Sequence, residues 1–503
     1  MQNNVMDFPI LSAVTFAPLV GVLIILFVKP AQHNAIKWTA FSVSLLTFLV
    51  SLLVVINFQA DESQFQLMER VPWIKAWGIE YYMGVDGLSI WLLMLTTLIS
   101  TVAIVSSFTA IQERVKEYYL FMLVMQTAMT GVFLALDMFL FYVFWEFTLV
   151  PMYFLIGMWG GPRRVYAAVK FFLYTMAGSI FMLLAILYLG LKGGTFALPE
   201  LIANNSIWVG TTAEIWLFLA FAAAFAIKVP LWPFHSWLPD AHVEAPTAGS
   251  IILAGVLLKM GTYGFVRFNL PLFPQASRDA APVIAVLAII GIIYGAAVSF
   301  AQTDVKKLVA YSSVSHLGFV MLGVFALNSQ GLQGGILQMV NHGLSTGALF
   351  LLVGVLYERR HTREMDKFGG LWKLMPLYGT LTLIVALSSM GLPGLNGFVG
   401  EFVILQGAFA RNWIWAAFAA SGIILAAIYI LTMFQKLFLG QSRDPENESL
   451  VRQPLRWHEL VALAPLVVLI FLIGLYPAPF FEMMNSTVGH ILGVVGSGAV
   501  ALR

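Results

Sequence analysis

Fourteen stretches of this chain, each long enough to cross a bilayer, are almost free of Asp, Glu, Lys and Arg. They run over 9–28, 38–58, 87–111, 118–136, 138–162, 165–191, 215–239, 245–266, 280–303, 308–328, 331–357, 374–410, 412–435 and 460–481. A helix needs about 20 apolar residues to span the hydrocarbon core. Only helices and closed barrels satisfy their own backbone there. Charged residues make up 10% of the 503, against roughly 25% in a soluble domain, so there is too little charge to clothe a water-facing surface. The pattern predicts an all-α polytopic membrane protein with about 14 transmembrane helices and no strand. The glycine-rich tail 483–502 reads as interfacial. Residues 1–9 carry Asp7 but no Lys or Arg, unlike the basic flank of a cleaved signal peptide, so the first apolar run is expected to remain as a helix.

Loop charge sets the orientation. Loops after odd-numbered stretches hold seventeen of the 27 Lys and Arg residues, among them Arg163, Arg164, Lys306, Lys307, Arg359, Arg360 and Arg363. Loops after even-numbered stretches, with the C-terminus, hold seven. The odd loops are therefore expected on the cytoplasmic or matrix side and both termini outside. The absence of cysteine excludes thiolate-held iron–sulfur clusters, disulfides and covalently attached c-type haem. The net charge of +2 includes no basic run of the kind that binds nucleic acid.

Four ionisable side chains lie deep inside apolar stretches: Glu146, Lys228, Lys259 and Glu401. Each costs roughly 2.5–3.5 kcal/mol at the bilayer centre even on the lenient insertion scale. Lys170 sits near a stretch end, where its stem can snorkel to the interface. Buried ion pairs alone explain the cost poorly, because such pairs are often no more stabilising than apolar packing. A hydrated proton route explains it better. Two of the four adjoin helix breakers. Lys228 precedes Pro230, Pro233 and Pro239, and Glu401 follows Gly391-Leu392-Pro393-Gly394. Prolines remove helix donors, and paired broken helices point to the ion site of a transporter.

A shift of 169 residues lays Gly178 on Gly347, Phe181 on Phe350 and Tyr188 on Tyr357. It carries Glu146 to Ser315, beside His316, and Lys228 to Gly397, one turn before Glu401. The repeating unit is five helices (spans 4–8 and 9–13). An odd number makes the second unit enter from the opposite side, giving two five-helix inverted repeats with two broken helices. The segments are then 1–112 (three N-terminal helices), 113–268 and 269–440 (the repeats) and 441–503 (a last helix and tail). His235, His316 and His342 fall near the charged groups and titrate near neutral pH, which suits relays or the ordering of water. Two histidines on separate helices could instead ligate a b-type haem, but no second histidine of a pair recurs along either helix.

Three motifs carry a resemblance. They are Phe144-Trp145-Glu146-Phe147-Thr148-Leu149-Val150-Pro151, Trp237-Leu238-Pro239-Asp240-Ala241-His242-Val243-Glu244-Ala245-Pro246-Thr247, and Tyr311-Ser312-Ser313-Val314-Ser315-His316-Leu317-Gly318. They resemble the antiporter-like membrane subunits of respiratory complex I, the proton-pumping NADH:quinone oxidoreductase. The related multisubunit sodium/proton antiporters share the scaffold and rank second. The resemblance implies that Glu146 pairs with Lys228, that Lys259 is a central relay and that Glu401 is the last carrier before the outer face. It implies no cofactor in this chain, with the redox work done in other subunits. The implied partners are neighbouring antiporter-like subunits of the membrane arm, a peripheral arm bearing flavin and iron–sulfur clusters, and membrane lipids. The implied location is a bacterial inner membrane.

This reading predicts that a reporter in the 358–367 loop reports inside and one fused at Arg503 reports outside. Reversed accessibility in a protease-protection or labelling assay would show that the spans are miscounted.

Overall fold

In a computed structural model, residues 8–497 are described. The expected outward placement of the termini and the last part of the 483–502 tail fall outside them. The helices α1 (Ile10–Phe27) and α2 (His33–Ile56) precede a hairpin of β1 (Gln66–Ile74) and β2 (Ile79–Val85), and α3 (Ser89–Ser106) follows. Next come α4 (Val115–Leu134), α5 (Met138–Phe147), α6 (Leu149–Trp159), α7 (Arg164–Gly193), α8 (Leu198–Ala203) and α9 (Thr212–Lys228), which ends at the first break. Beyond it lie α10 (Trp237–Glu244) and a rod made of α11 (Thr247–Ile252), α12 (Leu258–Gly264) and α13 (Leu270–Leu272), joined by π-helical turns at Leu253–Leu257 and Phe265–Asn269. The chain continues through α14 (Pro274–Phe300), α15 (Val305–Phe325), α16 (Ser329–Arg360), α17 (Leu371–Leu374) and α18 (Pro376–Ser389), where the second break falls. It closes with α19 (Asn396–Arg411), α20 (Trp413–Phe438), α21 (Trp457–Leu475) and α22 (Ala478–Ser497).

Eleven helices among the described residues are long and apolar enough to cross a membrane. The three other expected spans coincide with α4, which carries Lys116 and Glu117, with α9, which stops at the first break, and with the broken pair α18–α19. The rod Thr247–Leu272, α15 and α16 are the innermost elements, buried almost throughout. α1, α2, α7, α20 and α21 enclose them and leave Phe27, Leu53, Leu184, Ile424 and Val468 exposed on the outer surface. An apolar outside is what lipid or a neighbouring membrane subunit requires.

Both breaks have a local cause. Pro230 and Pro233 lack the donors that would continue α9, and Leu231 N–H reaches back five residues to Ala226 O at 2.9 Å. At the second break Gly391 (φ +79) and Gly394 (φ +92) adopt the left-handed region open to glycine, and Leu392 N–H reaches Leu387 O at 3.0 Å. The same five-residue reach closes both ends, and at the second break a left-handed glycine accompanies it, as in a Schellman cap.

The expectation of no strand is corrected by the hairpin, whose antiparallel register pairs Arg70 with Tyr82 and Val71 with Tyr81. Its charges hid it, because Glu69, Arg70, Lys75 and Glu80 break the apolar pattern by which a strand is read. Glu69, Arg70 and Glu80 find partners within the fold, and Lys75 is exposed at the turn. Arg70 bonds Glu80 and Glu200, each at 2.6 Å, and the Glu69 carboxylate accepts from Leu11 N–H at 2.7 Å and from Ser12 N–H at the start of α1. A two-stranded ribbon is marginal alone, so these contacts hold it. The described part of the tail, 483–497, is helical in α22, with Met484, Val488 and Ile491 buried.

One ion pair locks the hairpin end to the innermost rod. Asp86, just after β2, takes Arg267 Nη1 at 2.8 Å and Nη2 at 2.5 Å, and it also caps α3 through Ser89 N–H at 3.0 Å. Asp86→Ala strands a buried guanidinium, at a cost of about 3–5 kcal/mol. The expected result is loss of the subunit from native gels, with partial recovery in the double variant Asp86→Leu, Arg267→Met. Normal assembly of the single variant would show that the pair is not structural.

Candidate functional site

Three innermost elements bring their ionisable groups to one place. The π turn at Leu253–Leu257 shifts the backbone register, as such bulges do at functional sites, and sets Ala254 O against the Lys259 ammonium, which bonds it. Lys259 Nζ also bonds His342 Nδ1 on α16 at 2.6 Å. The His342 ring lies 5.8 Å from that of His316 on α15, centroid to centroid. His316 Nδ1 then meets Glu401 Oε1 on α19 at 2.8 Å. The result is a file, Lys259–His342–His316–Glu401, in which every member is almost wholly buried.

Further contacts hold the file in place. Gln338 donates to Glu401 Oε1 at 3.1 Å, and the Tyr429 hydroxyl meets His316 Nε2 at 3.2 Å. α16 and α19 approach so closely that a Cβ on Gly400 would stand 2.3 Å from Gln338 Oε1. A side chain there would displace the Gln338 amide that donates to Glu401. His342 Nε2 has no hydrogen-bond partner among the described residues. The file can accept a proton at one end, pass it between ring nitrogens and deliver it to a carboxylate beside the second break, where Gly391 lies against Glu401.

The first half differs. Lys228 is fully buried at the end of α9, yet Nζ has no hydrogen-bond partner among the described residues. It stands over the ring faces of Trp145 at 5.3 Å and Phe171 at 5.5 Å, contacts that favour a cation. Glu146 is half-buried, lies within the field of Lys228, and interacts with Ser179 and Tyr142. The expected Glu146–Lys228 contact is therefore open in this structure. Glu146 directly follows Trp145 in α5, so the acid and the ring over which Lys228 stands belong to the same helical turn.

His235 does not join the file. It packs edge-on to Tyr294 at 5.0 Å beside the first break. Lys170 pairs with Asp240 at 2.7 Å. The sequence reading missed Gln338, Tyr429, His242 and Lys306. The first carried a signal: Gln338, Asn341, His342 and Ser345 recur at the spacing of one helix face. His242 and Lys306 sat in stretches read as turns and loop ends.

Broken helices flanking a buried file of ionisable side chains, inside a helical membrane scaffold, define an antiporter-like membrane protein. The family described as "NADH:quinone oxidoreductase/Mrp antiporter, TM" matches residues 135–428. The chain belongs to that family. It is 43% identical to a NADH-quinone oxidoreductase subunit M from Rhodobacter capsulatus, over 98% of this chain and 97% of that one. Among solved structures it is similar to a chain of respiratory complex I from Thermus thermophilus with bound NADH, with TM-score 0.87, 32% identity and coverage of 96% and 99% of the two chains. A chain of the Mrp complex from Dietzia sp. DQ12-45-1b shares the fold, with TM-score 0.80 and 24% identity over 97% of this chain and 55% of that one.

Lys228→Arg separates a clamp from a switch. Arginine keeps the charge and suits the aromatic faces, but it does not release its proton in a protein. The variant is expected to assemble normally and to lose most proton uptake in vesicles. Normal uptake would mean that Lys228 need not deprotonate.

Proposed function

We propose that this chain is a proton-translocating membrane subunit of NADH:quinone oxidoreductase in a bacterial plasma membrane, with the 358–367 loop in the cytoplasm. The observation that carries this reading is the buried file Lys259–His342–His316–Glu401, hydrogen-bonded at both ends with the two histidine rings 5.8 Å apart between them. The similarity to a subunit M along nearly its whole length supports it. The sodium/proton antiporter reading has the shared fold behind it and little else.

In this reading no redox group belongs to the chain, and energy arrives from neighbouring subunits of the membrane arm. Closing Glu146 on Lys228 stabilises the ammonium; as the pair opens, the ammonium hands its proton to the departing Glu146 carboxylate, leaving both neutral, and takes it back on closing. Lys259 passes its proton to His342, and from there it moves through His316 to Glu401, which releases it outside. Driving one charge outward costs roughly 2.3 kcal/mol per 100 mV. Opening and closing one buried ion pair is worth a similar amount or more, so a single switch per proton suffices.

Glu401→Gln tests the outer end. The amide keeps the shape and can hydrogen-bond Gln338 and His316, but it cannot cycle a proton. In vesicles carrying the whole complex, the ratio of protons moved to NADH oxidised should fall while subunit content stays normal. An unchanged ratio would remove Glu401 from the route.

A further inference from the structure

His242 lies in α10, stacked on Phe350 of α16 with ring centroids 4.5 Å apart and planes within 2°. It is wholly buried, and neither ring nitrogen has a hydrogen-bond partner among the described residues. A phenylalanine would stack on Phe350 equally well. Each unsatisfied buried polar atom costs about 1–3 kcal/mol, so packing alone does not account for a histidine here. Water is the partner buried polar atoms take where no side chain serves them, and a water at these nitrogens would bridge the ionisable groups on either side.

Those groups are identifiable. The charged neighbours whose fields reach His242 are Lys306 and Lys259, and His342 feels both Lys259 and His242. Lys306, in the first turn of α15, is buried and bonds Ala245 O at 2.6 Å, capping the C-terminal end of α10. Directly beside it Asp304 pairs with Arg363 at 3.1 Å, and Arg363 is partly exposed. Lys306 is thus one ion pair from the surface. From the level of Lys306 to that of His316 the rise along α15 is about 15 Å, too far for one transfer. His242 divides that span, and buried Ser313 on α15 and Thr346 on α16 fall at intermediate levels. Lys228, by contrast, feels the field of Glu146. α9 and α12 meet there backbone to backbone, with Gly261 against Phe225 O and Val229.

We infer that His242, fed through Lys306, is the cytoplasmic loading group for Lys259, so that protons join the central file beside α10. The Lys306 ammonium gives a proton through water to one ring nitrogen of His242. The other nitrogen releases its proton toward the neutral amine of Lys259, and Lys306 recovers a proton from the cytoplasm. The inference rests on the proposed relay through Lys259.

The test uses the whole complex in inverted membrane vesicles, with His242→Phe, His242→Gln and, for comparison, Glu401→Gln. Phenylalanine keeps the stack and glutamine can order water, but neither carries a proton. Removing a positioned proton carrier costs on the order of a hundredfold in the step it serves, so both variants should assemble with proton uptake cut at least about tenfold and coupled NADH oxidation slowed with it. Normal uptake by either His242 variant overturns the inference, because a titrating ring would not be needed. So does failure of both to assemble, which would make the ring a packing element. If Glu401→Gln loses pumping while the His242 variants keep it, only this inference fails. If all three pump normally, the relay itself falls.

Discussion

A polar group inside hydrocarbon has no water to turn to, and each one left unpaired costs several kcal/mol. The architecture follows from that constraint. Every ionisable group of the file sits on or against the three innermost elements, the rod Thr247–Leu272, α15 and α16, which the other helices wrap. The breaks after α9 and α18 are tolerated because their freed carbonyls are taken up within the protein, each by an amide five residues on. Even the hairpin obeys the rule, since its charges bond one another, α8 and the start of α1.

The two halves are at different stages of the same geometry. In the second, the acid is closed onto its base, His316 on Glu401 at 2.8 Å. In the first, Glu146 and Lys228 stand apart, the lysine resting on aromatic faces. α16 and α19 approach closely at Gly400, beside the closed pair, whereas Glu146 is half-buried. Small residues serve that approach throughout: a Cβ on Gly334 would stand 2.7 Å from Ile404 N, and one on Gly407 would stand 2.3 Å from Gly331 N. Helix pairs in membranes gain most where backbones come this near.

Much was legible in the amino-acid order. Hydrophobic runs of bilayer length, four charges inside them and two breaker clusters gave the membrane class, the axis and the broken helices, because each is a local property. The presence of Lys259 or Glu401 in an apolar run is visible before its surroundings are known, and Pro230 cannot donate to a helix wherever it is placed. The polar face of α16 was also there to read in Gln338, Asn341, His342 and Ser345.

What only the tertiary structure decided is which of these groups meet. Glu146 and Lys228 were expected in contact and stand apart, while Lys259 bonds a histidine 83 residues away. His235 carried the same expectation as His316 yet lies outside the file, and His242, which drew none, lies beside it. The hairpin escaped notice because ion pairs supplied by distant residues offset the charges that made it read as loop. Such pairings depend on the rotation of each helix about its axis and on how closely backbones approach. Both are set by packing among elements far apart in the chain, which no local pattern of residues encodes.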